Sequence, residues 1–484
     1  MGSCSPRRFG WKQWLTLLMA PGILLAGSLA CGYVGGHLPI PPYTSTFGST
    51  GSCQSTAEAG HPGRTTLATV VSVGPNTTIC MLDPNNGMVK QHVDLAVHGD
   101  IAGYANGLIY INERGGNDGH SLALCAVAIR DGQQRWCQPR IQVPSTFWSF
   151  SPFLSENGVV YVSVRFLPTT VPRPTSSPPS SVISVQKRET AVYALNEADG
   201  SILWQRRSAD PGYGMLMLAL GHNMLYAGEQ NLFSGTNRVC ALRTSNGTQT
   251  WCFKPAEPIL NGLAIVDGLL YMRTSTDDGW LQPGSNVGVY ALDAATGSQR
   301  WVISLGASAT GAYHPLIVAY NGAVYVNIRR CRCGAEAPTQ DDADYLFALN
   351  ASNGSQLWST VISTGIWTAA PTDAILYVGT DLGGGMTAVR TGNGAILWHQ
   401  RLPGDISSST YNTMDTLVLS DHTIYVSIQD SSYDADALVS INAQNGSTNW
   451  QDEGCDNSSN ALSFSSCYWY RGFPEPAITV LLPA

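Results

Sequence analysis

The sequence predicts an all-β fold: a single eight-bladed β-propeller of four-stranded antiparallel blades. Three observations support this prediction. A segment of about 13 residues recurs eight times, which is typical of repeat architectures. Each copy has the pattern of two short strands around a glycine turn. The chain of 484 residues contains 50 Gly and 27 Pro, whereas charged residues make up only 12%, and both helix bundles and disordered chains need more Glu and Lys.

The repeated segment is anchored by one glycine. In the copy VYALDAATGSQRW (289–301), Leu stands five residues before this glycine and Trp four residues after it. Trp occupies its place in seven of the eight copies, and Gln91 replaces it in the first. The glycines lie on average about 51 residues apart, which suits four short strands and their loops. They are Gly87, Gly132, Gly200, Gly247, Gly297, Gly354, Gly394 and Gly446.

Each copy is predicted to be a β-hairpin. Four consecutive apolar residues, such as those at 192–195, indicate a strand that is buried on both faces. Asn-Gly, Asp-Gly and Thr-Gly pairs then supply the positive φ that a tight turn needs. Two further strand-like runs precede most copies, for example 214–220 and 224–228 before the copy that starts at 239. Four strands per repeat make one propeller blade.

The tryptophans lie on the outermost strand of each predicted blade, where they are expected to dock on the neighbouring blade and bury a face that one blade cannot bury alone. The blade-docking residues are Trp136, Trp204, Trp251, Trp301, Trp358, Trp398 and Trp450. Only one clear strand, 67–73, precedes the first copy, so the innermost strand of the first blade is predicted to come from 477–482.

The N-terminal residues indicate export. Arg7, Arg8 and Lys12 precede an uncharged stretch at 14–30 that ends in small residues, so residues 1–30 are predicted to be a signal peptide. A permanent membrane anchor is the alternative. The uncharged stretch has 17 residues, which is at the short limit for spanning a bilayer.

Cys31 follows this segment directly and precedes a Gly-, Pro-, Ser- and Thr-rich run, so residues 31–66 are predicted to be a tether and 67–484 the propeller. The arrangement resembles that of bacterial lipoproteins, and the resemblance implies lipidation of Cys31. Ser28 departs from the family's motif, which usually has Leu there. The predicted location is extracytoplasmic, either as a membrane-anchored lipoprotein or as a freely secreted protein.

The cysteines also favour export. Setting aside Cys31 and the cysteine of the signal segment leaves ten of the 12, an even number that suits an oxidising compartment. Cys125 and Cys137 occupy the same two places in their repeat as Cys240 and Cys252 in theirs, seven residues before the glycine and five after it. Hairpin pairing puts these places opposite each other, within reach of a disulfide.

Two further disulfides are predicted. Cys80 occupies the first of the two repeat places, but His92 stands at the second, so Cys80 is predicted to pair with Cys53 in the tether. Cys455 and Cys467 are also twelve residues apart and are predicted to tie the C-terminal segment. All of these cysteines are interpreted as structural.

The repeat, roughly apolar-Tyr-Ala-Leu-Asp-x-x-x-Gly-x-x-x-Trp, resembles the pyrroloquinoline quinone (PQQ)-like or tryptophan-docking repeat over about residues 65–455. That family contains eight-bladed quinoprotein dehydrogenases. It also contains non-enzymatic extracytoplasmic propellers, among them the lipoprotein of outer-membrane β-barrel assembly. The fold alone does not choose between these two classes.

For an enzyme, the resemblance implies a PQQ held by Ca²⁺, a catalytic Asp, and a disulfide between adjacent cysteines over the cofactor. The sequence contains no Cys-Cys dipeptide. Acidic groups at 277–278, 341–344 and 430–436 could offer oxygen ligands, but none matches an EF-hand, so they are interpreted as solvated carboxylates. No catalytic or cofactor-binding residue is therefore predicted, and PQQ and Ca²⁺ belong only to the alternative reading.

The net charge of the chain limits the classes of molecule that it can bind. It is −8 for the whole chain, and without residues 1–30 the remaining 23 basic and 34 acidic residues give −11. Such a chain is unsuited to nucleic acid. A lipid anchor is the predicted membrane contact.

The longest departures from the repeat indicate a binding face. They lie at 167–190, 275–288, 330–344 and 430–436, between the second and third strands of their blades. Such loops emerge on one face, opposite the glycine turns, and insertions gathered on one face of a repeat protein usually mark its binding face. The alternative is that these loops are tolerated insertions without a binding function.

These observations predict an exported, membrane-tethered propeller that acts as a non-enzymatic binding or assembly scaffold for a protein or cell-envelope partner. A PQQ-dependent quinoprotein oxidoreductase with a divergent site is the alternative.

Overall fold

A computed structural model describes the repeat region of the chain and part of each connection. The described residues are 66–73, 76–95, 97, 100–115, 121–138, 141–142, 153–166, 189–207, 213–231, 236–257, 259–276, 285–308, 316–330, 343–362, 366–380, 385–402, 412–420, 422–430, 436–453 and 479–482. All regular structure in these residues is β. Within them, no helix has the length and apolar character needed to cross a membrane.

The described strands form eight antiparallel sheets. Sheet 1 contains β1 (Thr66–Val73), β2 (Asn76–Leu82), β3 (Val89–Asp94) and β33 (Thr479–Leu482). Sheet 2 contains β4 (Asp100–Ala105), β5 (Leu108–Gly115), β6 (Ser121–Ala128), β7 (Gln134–Cys137) and β8 (Ile141–Gln142). Sheet 3 contains β9 (Phe153–Glu156), β10 (Val159–Phe166), β11 (Glu189–Asn196) and β12 (Ile202–Arg207). Sheet 4 contains β13 (Tyr213–Gly221), β14 (Met224–Asn231), β15 (Thr236–Arg243) and β16 (Gln249–Phe253).

The other four sheets follow the same plan. Sheet 5 contains β17 (Ile259–Val266), β18 (Leu269–Ser275), β19 (Ser285–Asp293) and β20 (Gln299–Ser308). Sheet 6 contains β21 (Ile317–Tyr320), β22 (Ala323–Arg330), β23 (Ala343–Asn350) and β24 (Gln356–Ile362). Sheet 7 contains β25 (Ile366–Pro371), β26 (Ile375–Thr380), β27 (Gly385–Arg390) and β28 (Ile396–Arg401). Sheet 8 contains β29 (Asn412–Ser420), β30 (Thr423–Asp430), β31 (Asp436–Asn442) and β32 (Thr448–Glu453).

Each of sheets 2 to 8 is a meander, because its first four strands pair in the order of the sequence. Sheet 1 differs, since its β1 pairs with β33 from the C-terminal segment, Thr66 opposite Leu482 and Thr69 opposite Thr479. The prediction that the C-terminal segment supplies a strand to the first blade is confirmed. The four strands per repeat, joined by antiparallel pairing, are those of a β-propeller.

The repeated hairpin has the same local geometry in every sheet. In sheet 5, Gly297 has a φ of 73° and donates its N–H to the carbonyl of Asp293 at 2.8 Å. Glycine adopts this left-handed conformation without steric cost. The register then shifts by one residue after the Ala291–Trp301 pair, so Arg300 is the extra residue of a β-bulge.

The core lies between neighbouring sheets. Third-strand residues such as Val289 and Leu292 are fully buried, as expected for a strand covered on both faces. Between sheets 5 and 6, Val289 belongs to one apolar cluster with Val324 and Val326 of β22. Every sheet therefore buries its apolar faces against its neighbours, as propeller blades do.

Two of the predicted disulfides lie in described residues. Cys125 is bonded to Cys137 and Cys240 to Cys252, with Cα–Cα distances of 4.0 and 4.1 Å. In both hairpins the two cysteines stand directly opposite each other in the strand register.

Other predictions concern residues outside the described part. The signal peptide, the tether and Cys31 lie there. So do Cys53, Cys455, Cys467 and most of the inserted loops.

Candidate functional site

Each fourth-strand tryptophan lies against the turn glycine of the next sheet. In sheet 5, a Cβ placed on Gly354 would lie only 2.7 Å from Cε3 of Trp301. Any larger residue would clash with the indole, so the repeat requires glycine for its close approach as well as for its φ. The seven contacts are Trp136–Gly200, Trp204–Gly247, Trp251–Gly297, Trp301–Gly354, Trp358–Gly394, Trp398–Gly446 and Trp450–Gly87.

The indole also makes a polar contact with the next sheet. Nε1 of Trp301 donates a hydrogen bond to the carbonyl of Ala351 at 3.0 Å, and Ala351 stands three residues before Gly354. All seven tryptophans donate to the equivalent carbonyl at 2.6–3.2 Å. Since a buried N–H needs an acceptor, this bond fixes the depth at which each indole docks.

A second aromatic residue, which the sequence analysis did not single out, completes the contact. Tyr271 on the second strand of sheet 5 donates its hydroxyl to the same Ala351 carbonyl at 3.1 Å, and its ring centroid is 5.9 Å from that of Trp301. Burial raises the pKa of Tyr271 to about 12. We call this pair of donors on one carbonyl the aromatic clamp.

The tyrosine is present in the same place in seven sheets. The pairs are Tyr110–Trp136, Tyr161–Trp204, Tyr226–Trp251, Tyr271–Trp301, Tyr325–Trp358, Tyr377–Trp398 and Tyr425–Trp450, with centroids 5.9–6.1 Å apart. A recurring Gly-x-x-Tyr, as at 107–110 and 322–325, could have revealed it in the sequence.

The junction of sheets 1 and 2 has no aromatic clamp. Gln91 stands at the tryptophan place, and Ala68 pairs with Met81 at the register position where the other sheets have tyrosine. A Cβ on Gly132 would instead meet the carbonyl oxygen of Asp94, at 2.3 Å. An apolar cluster of Val93, Leu95 and Val97 with residues of β5 and β6 holds this junction.

The opposite half of the sheets, away from the glycine turns, carries a layer of buried polar side chains. In the described part this layer comprises every buried polar residue except Ser440. Its members lie late in the second strand, early in the third, or just after the fourth. They are Asn112, Gln138, Ser163, Glu229, Asn237, Arg273, Thr274, Ser275, Asn327, Asp344, Thr380 and Thr387. We call this set the polar layer; it lies on the side of the predicted inserted loops.

Arg273 anchors the best-connected part of the polar layer. Its side chain is 1% exposed, and Nη2 donates to the carbonyl of Asn327 in sheet 6 at 3.3 Å. Asn327 Nδ2 donates to Asp344 Oδ2, which also accepts the N–H of Ile366 in sheet 7 at 2.6 Å. Burial lowers the pKa of Arg273 to about 10, and the charge of Asp344 opposes this shift. Three successive sheets are thus joined by polar contacts.

Asp344 corrects one expectation. From the sequence, the acidic group at 341–344 is expected to be solvated. Asp344 is instead buried and accepts the two hydrogen bonds just described. Its carboxylate satisfies a backbone donor of the next sheet, a contact that exists only in the folded arrangement. Residues 277–278, 341–342 and 431–435 of the acidic groups lie outside the described residues.

Two further acids of this region, Glu257 and Glu229, are also held by protein donors. Glu257 accepts the hydroxyls of Tyr290 at 2.6 Å and Thr274 at 3.1 Å. Burial, followed by the hydrogen bond with Glu257, raises the pKa of Tyr290 to about 12. Glu229 forms an ion pair with Arg238.

These donors make the described acids a poor fit for the Ca²⁺ of a quinoprotein. Calcium takes six to eight oxygen ligands, several of them carboxylates that converge on one point. Glu229, Glu257 and Asp344 are each engaged by their own donors instead. Among the described residues no three His, Cys, Asp or Glu side chains come together in a group that could hold a metal ion.

The polar layer also contains three buried amide side chains for which the described residues provide no partner. The carboxamide atoms of Asn112, Gln138 and Asn237 make no hydrogen bond to any described residue. Buried amides of this kind normally bond to protein or ordered water. Chemically, the layer can therefore offer hydrogen bonds to a further group.

Comparison with known proteins gives the following matches. The chain matches the family model described as outer membrane protein assembly factor BamB over residues 188–365 and 342–472. It is similar to the crystal structure of BamB from Moraxella catarrhalis, with 16% identity, 74% of this chain and 92% of that chain covered, and a TM-score of 0.45.

Two redox enzymes are similar in structure as well. The dihydro-haem d1 dehydrogenase NirN in complex with DHE has 11% identity over 80% of this chain and 74% of its own, with a TM-score of 0.49. A europium-containing methanol dehydrogenase has 14% identity over 74% of this chain and 80% of its own, with a TM-score of 0.47. No curated protein sequence matches significantly.

Proposed function

The chain belongs to the family of the outer membrane protein assembly factor BamB, and on this premise we propose that it is an exported, membrane-tethered propeller that acts as a non-enzymatic binding and assembly scaffold. The observation that carries the proposal is the family match, which spans more than half of the chain. The described acids support a scaffold rather than an enzyme, because they are engaged in structural contacts.

The scaffold we propose is a single ring of eight blades. Eight sheets in the described residues and the strand β33 in sheet 1 support this. Trp450 of sheet 8 lies against Gly87 of sheet 1 and donates to the carbonyl of Pro84 at 2.9 Å, which repeats the contact made between earlier sheets. Closure would leave no open sheet face at either end of the array.

The proposed partner is a protein or cell-envelope component that binds the face of the inserted loops. The aromatic clamps use the glycine-turn half of the sheets for contacts between sheets. The loop side instead carries the polar layer, in which the amides of Asn112, Gln138 and Asn237 have no partner in the described part of the chain. Loops on a rigid scaffold are the usual place for recognition.

The proposed location is extracytoplasmic, with Cys31 lipidated after removal of residues 1–30. The disulfides Cys125–Cys137 and Cys240–Cys252 support an oxidising compartment. Changing Cys31 to Ser should move the protein from the membrane fraction to the soluble fraction. If the variant stays in the membrane fraction, lipidation at this residue is wrong.

Affinity capture from a membrane fraction tests the scaffold role. We expect the full-length protein to recover one specific protein partner, and replacement of residues 168–187 by a short Gly-Ser linker to reduce the recovery. Ala295→Lys is the matched control, because Ala295 is exposed in a glycine turn on the opposite side. Equal recovery with both variants would contradict the loop face as the binding face, and no specific partner at all would contradict the scaffold role.

The alternative, a PQQ-dependent quinoprotein oxidoreductase with a divergent site, is tested separately. We expect the purified protein with added PQQ and Ca²⁺ to show no dye-linked oxidation of alcohols or sugars above a heat-treated control. Stoichiometric quinone binding with turnover would favour the enzyme over the scaffold.

A further inference from the structure

Each glycine hairpin contains one bulge residue, at the same place in every sheet. In sheet 6, Ala348 pairs with Trp358 and Leu349 with Gln356, so Leu357 is the extra residue. Three of the eight described sheets have leucine at this place, three have a basic residue and two have a neutral polar one. We call these residues the bulge row. They are Lys90, Arg135, Leu203, Thr250, Arg300, Leu357, Leu397 and Asn449.

The exposed apolar side chains concentrate at the bulge row. Eight large apolar side chains are exposed in the described part of the chain, and six of them lie within three residues after a turn glycine. The three leucines of the bulge row are among them and are 38–50% exposed. Because these residues have nearly the same repeat position, they lie at one level of the sheets, close to the glycine turns. The six are Met88, Ile202, Leu203, Leu357, Ile396 and Leu397.

These side chains belong to separate sheets that stand side by side. Trp358 packs on Gly394, which places the hairpin of Leu357 beside the hairpin of Leu397. Leu203 lies in sheet 3, and sheets 4 and 5 stand between it and sheet 6. Apolar groups at one level of separate sheets suit a flat, extended partner better than a compact one.

The N-terminal part of the chain reaches the sheets on this same side. Strand β1 begins at Thr66, and Leu67 is paired with Leu82, which directly precedes the turn of Gly87. The 34 residues between Cys31 and Thr66 therefore end at the glycine turns. Fully extended, they span at most about 120 Å. A lipid on Cys31, as proposed above, holds this side of the molecule within that distance of a bilayer.

The charge of this side also permits contact with a bilayer, whose negative surface potential repels acidic surfaces. We counted the hairpins from four residues before each turn glycine to three after it, together with the short turns between first and second strands. They contain six basic and eight acidic residues, a net charge of −2, whereas the rest of residues 31–484 has a net charge of −9. The three bases of the bulge row are paired with acids of their own turns at 2.6–3.0 Å. A contact on this side is therefore expected to depend on apolar burial rather than on charge.

We propose that the glycine-turn side of the anchored protein lies against the bilayer surface, with Leu203, Leu357 and Leu397 in the interfacial region. The side of the inserted loops is then directed away from the bilayer. Apolar side chains bind a bilayer interface through the area that they bury there. The orientation rests on the proposed tether, because an anchor raises the local concentration of lipid and so allows a weak surface contact to form.

Flotation with phosphatidylcholine–phosphatidylethanolamine vesicles tests the contact without the anchor. We expect the unlipidated Cys31→Ser protein to bind weakly, at about 1–10 mM lipid, which is the range of effective concentration that a linker supplies. The binding should persist at about 1 M NaCl, where charges are screened beyond about 3 Å. Loss of binding in salt would contradict an apolar contact.

Two pairs of substitutions in the Cys31→Ser protein locate the contact. Leu357→Glu together with Leu397→Glu should weaken vesicle binding about tenfold, because two carboxylates would have to leave water. Val302→Glu together with Val361→Glu is the matched control and should weaken it less than about twofold. These valines are 43% and 45% exposed on the fourth strands of sheets 5 and 6, but they stand five and seven residues after their turn glycines. All four side chains are exposed, so both double variants should melt like their parent.

Hydrogen exchange of the lipidated wild type tests the orientation. In vesicles, the amides at 200–204, 354–358 and 394–398 should exchange more slowly than in the Cys31→Ser protein without vesicles. The amides at the loop-side strand ends, 163–166 and 327–330, should exchange equally in both. No vesicle binding at about 10 mM lipid, equal losses for the two double variants, or protection at the loop side would overturn the proposal. A wild type found in the soluble fraction would instead contradict the tether at Cys31, and the flotation result would still decide the contact.

Discussion

The junction between sheets 5 and 6 and the junction between sheets 1 and 2 solve the same packing problem with different chemistry. In the first, Trp301 and Tyr271 both donate to the Ala351 carbonyl. In the second, Gln91 and Ala68 stand at the corresponding places, and aliphatic residues fill the junction. The sheets still follow one another in the same way.

The difference separates two contributions to the fold. The glycine turn with its positive φ is present at both junctions, at Gly354 and at Gly132, so it determines the hairpin. The aromatic clamp is present at only one of them, so it adds strength to a contact whose geometry the hairpin and the apolar strands already define. Five experiments test this difference between the two junctions.

Removal of residues 477–484 should have the largest effect. It deletes β33, the innermost strand of sheet 1, which supplies all the described pairing on the side of β1 that faces away from β2. Because sheet 1 has no clamp toward sheet 2, it depends on this strand, and we expect thermal unfolding followed by circular dichroism to lose its cooperativity. Removal of residues 483–484 alone is the control and should leave the melting curve unchanged. An unchanged curve for the longer deletion would show that β33 contributes little.

Trp301→Ala should destabilise the protein by about 3–5 kcal/mol, the usual cost of truncating a buried aromatic residue. Gln91→Ala, at the same repeat place in the unclamped junction, should change the free energy of unfolding by less than about 0.5 kcal/mol. Urea denaturation measures both. Similar losses of stability for the two variants would mean that the Trp301 indole contributes no more to its junction than the Gln91 side chain contributes to the other.

Gly354→Ala should cost more than Gly322→Ala. Both glycines have a φ near 75°, so both substitutions carry the cost of a left-handed L-residue, about 1–2 kcal/mol. Only at Gly354 would the new Cβ also meet the Trp301 indole, at 2.7 Å, because nothing lies within 4 Å at Gly322. In a Trp301→Ala background the difference should shrink to what the remaining contact with Ile303 Cγ2, at 3.1 Å, costs. An undiminished difference there would rule out the indole as its main cause.

Tyr271→Phe should cost about 1 kcal/mol, since it removes one buried hydrogen bond and keeps the ring beside Trp301. The loss is measured by urea denaturation. A loss as large as that of Trp301→Ala would show that the hydroxyl, rather than the indole, dominates the clamp.

The last expected effect is a dependence on alkaline pH. Burial raises the pKa values of Tyr226 and Tyr271 from 10 to about 12, so the folded state holds these protons more tightly than the unfolded state. This stabilisation is fully present below pH 10 and is lost as the pH rises through 12. Tyr271→Phe should therefore lose less stability than the wild type between pH 10 and 12. An identical pH profile would contradict the burial of this hydroxyl.

The repeating parts of the molecule were predictable from the sequence. The glycine register, the position of Trp301 and its equivalents, and the strand at 477–482 all follow from self-similarity, because equal spacing means equal surroundings in a repeat fold. The tyrosine of the clamp was visible as Gly-x-x-Tyr in four of its seven sheets, but it lies in the upstream strands, outside the segment that defined the repeat.

The polar layer could not be predicted in this way. Arg and Asp are residue types that usually lie at the surface. Nothing in the local sequence of Arg273 and Asp344 shows that neighbouring sheets will cover them. Their burial depends on contacts between different sheets, such as the 3.3 Å bond from Arg273 to the carbonyl of Asn327, 54 positions away, and the bond from the Ile366 N–H to Asp344.

The position of β33 in sheet 1 has a consequence for biosynthesis. Ribosomes deliver β1 first and β33 last, and Trp450 meets Pro84 across 366 residues of chain. The first sheet therefore stays incomplete, with an unsatisfied strand edge, until almost the whole polypeptide has emerged. Final assembly must follow synthesis rather than accompany it, which suits the export that we propose.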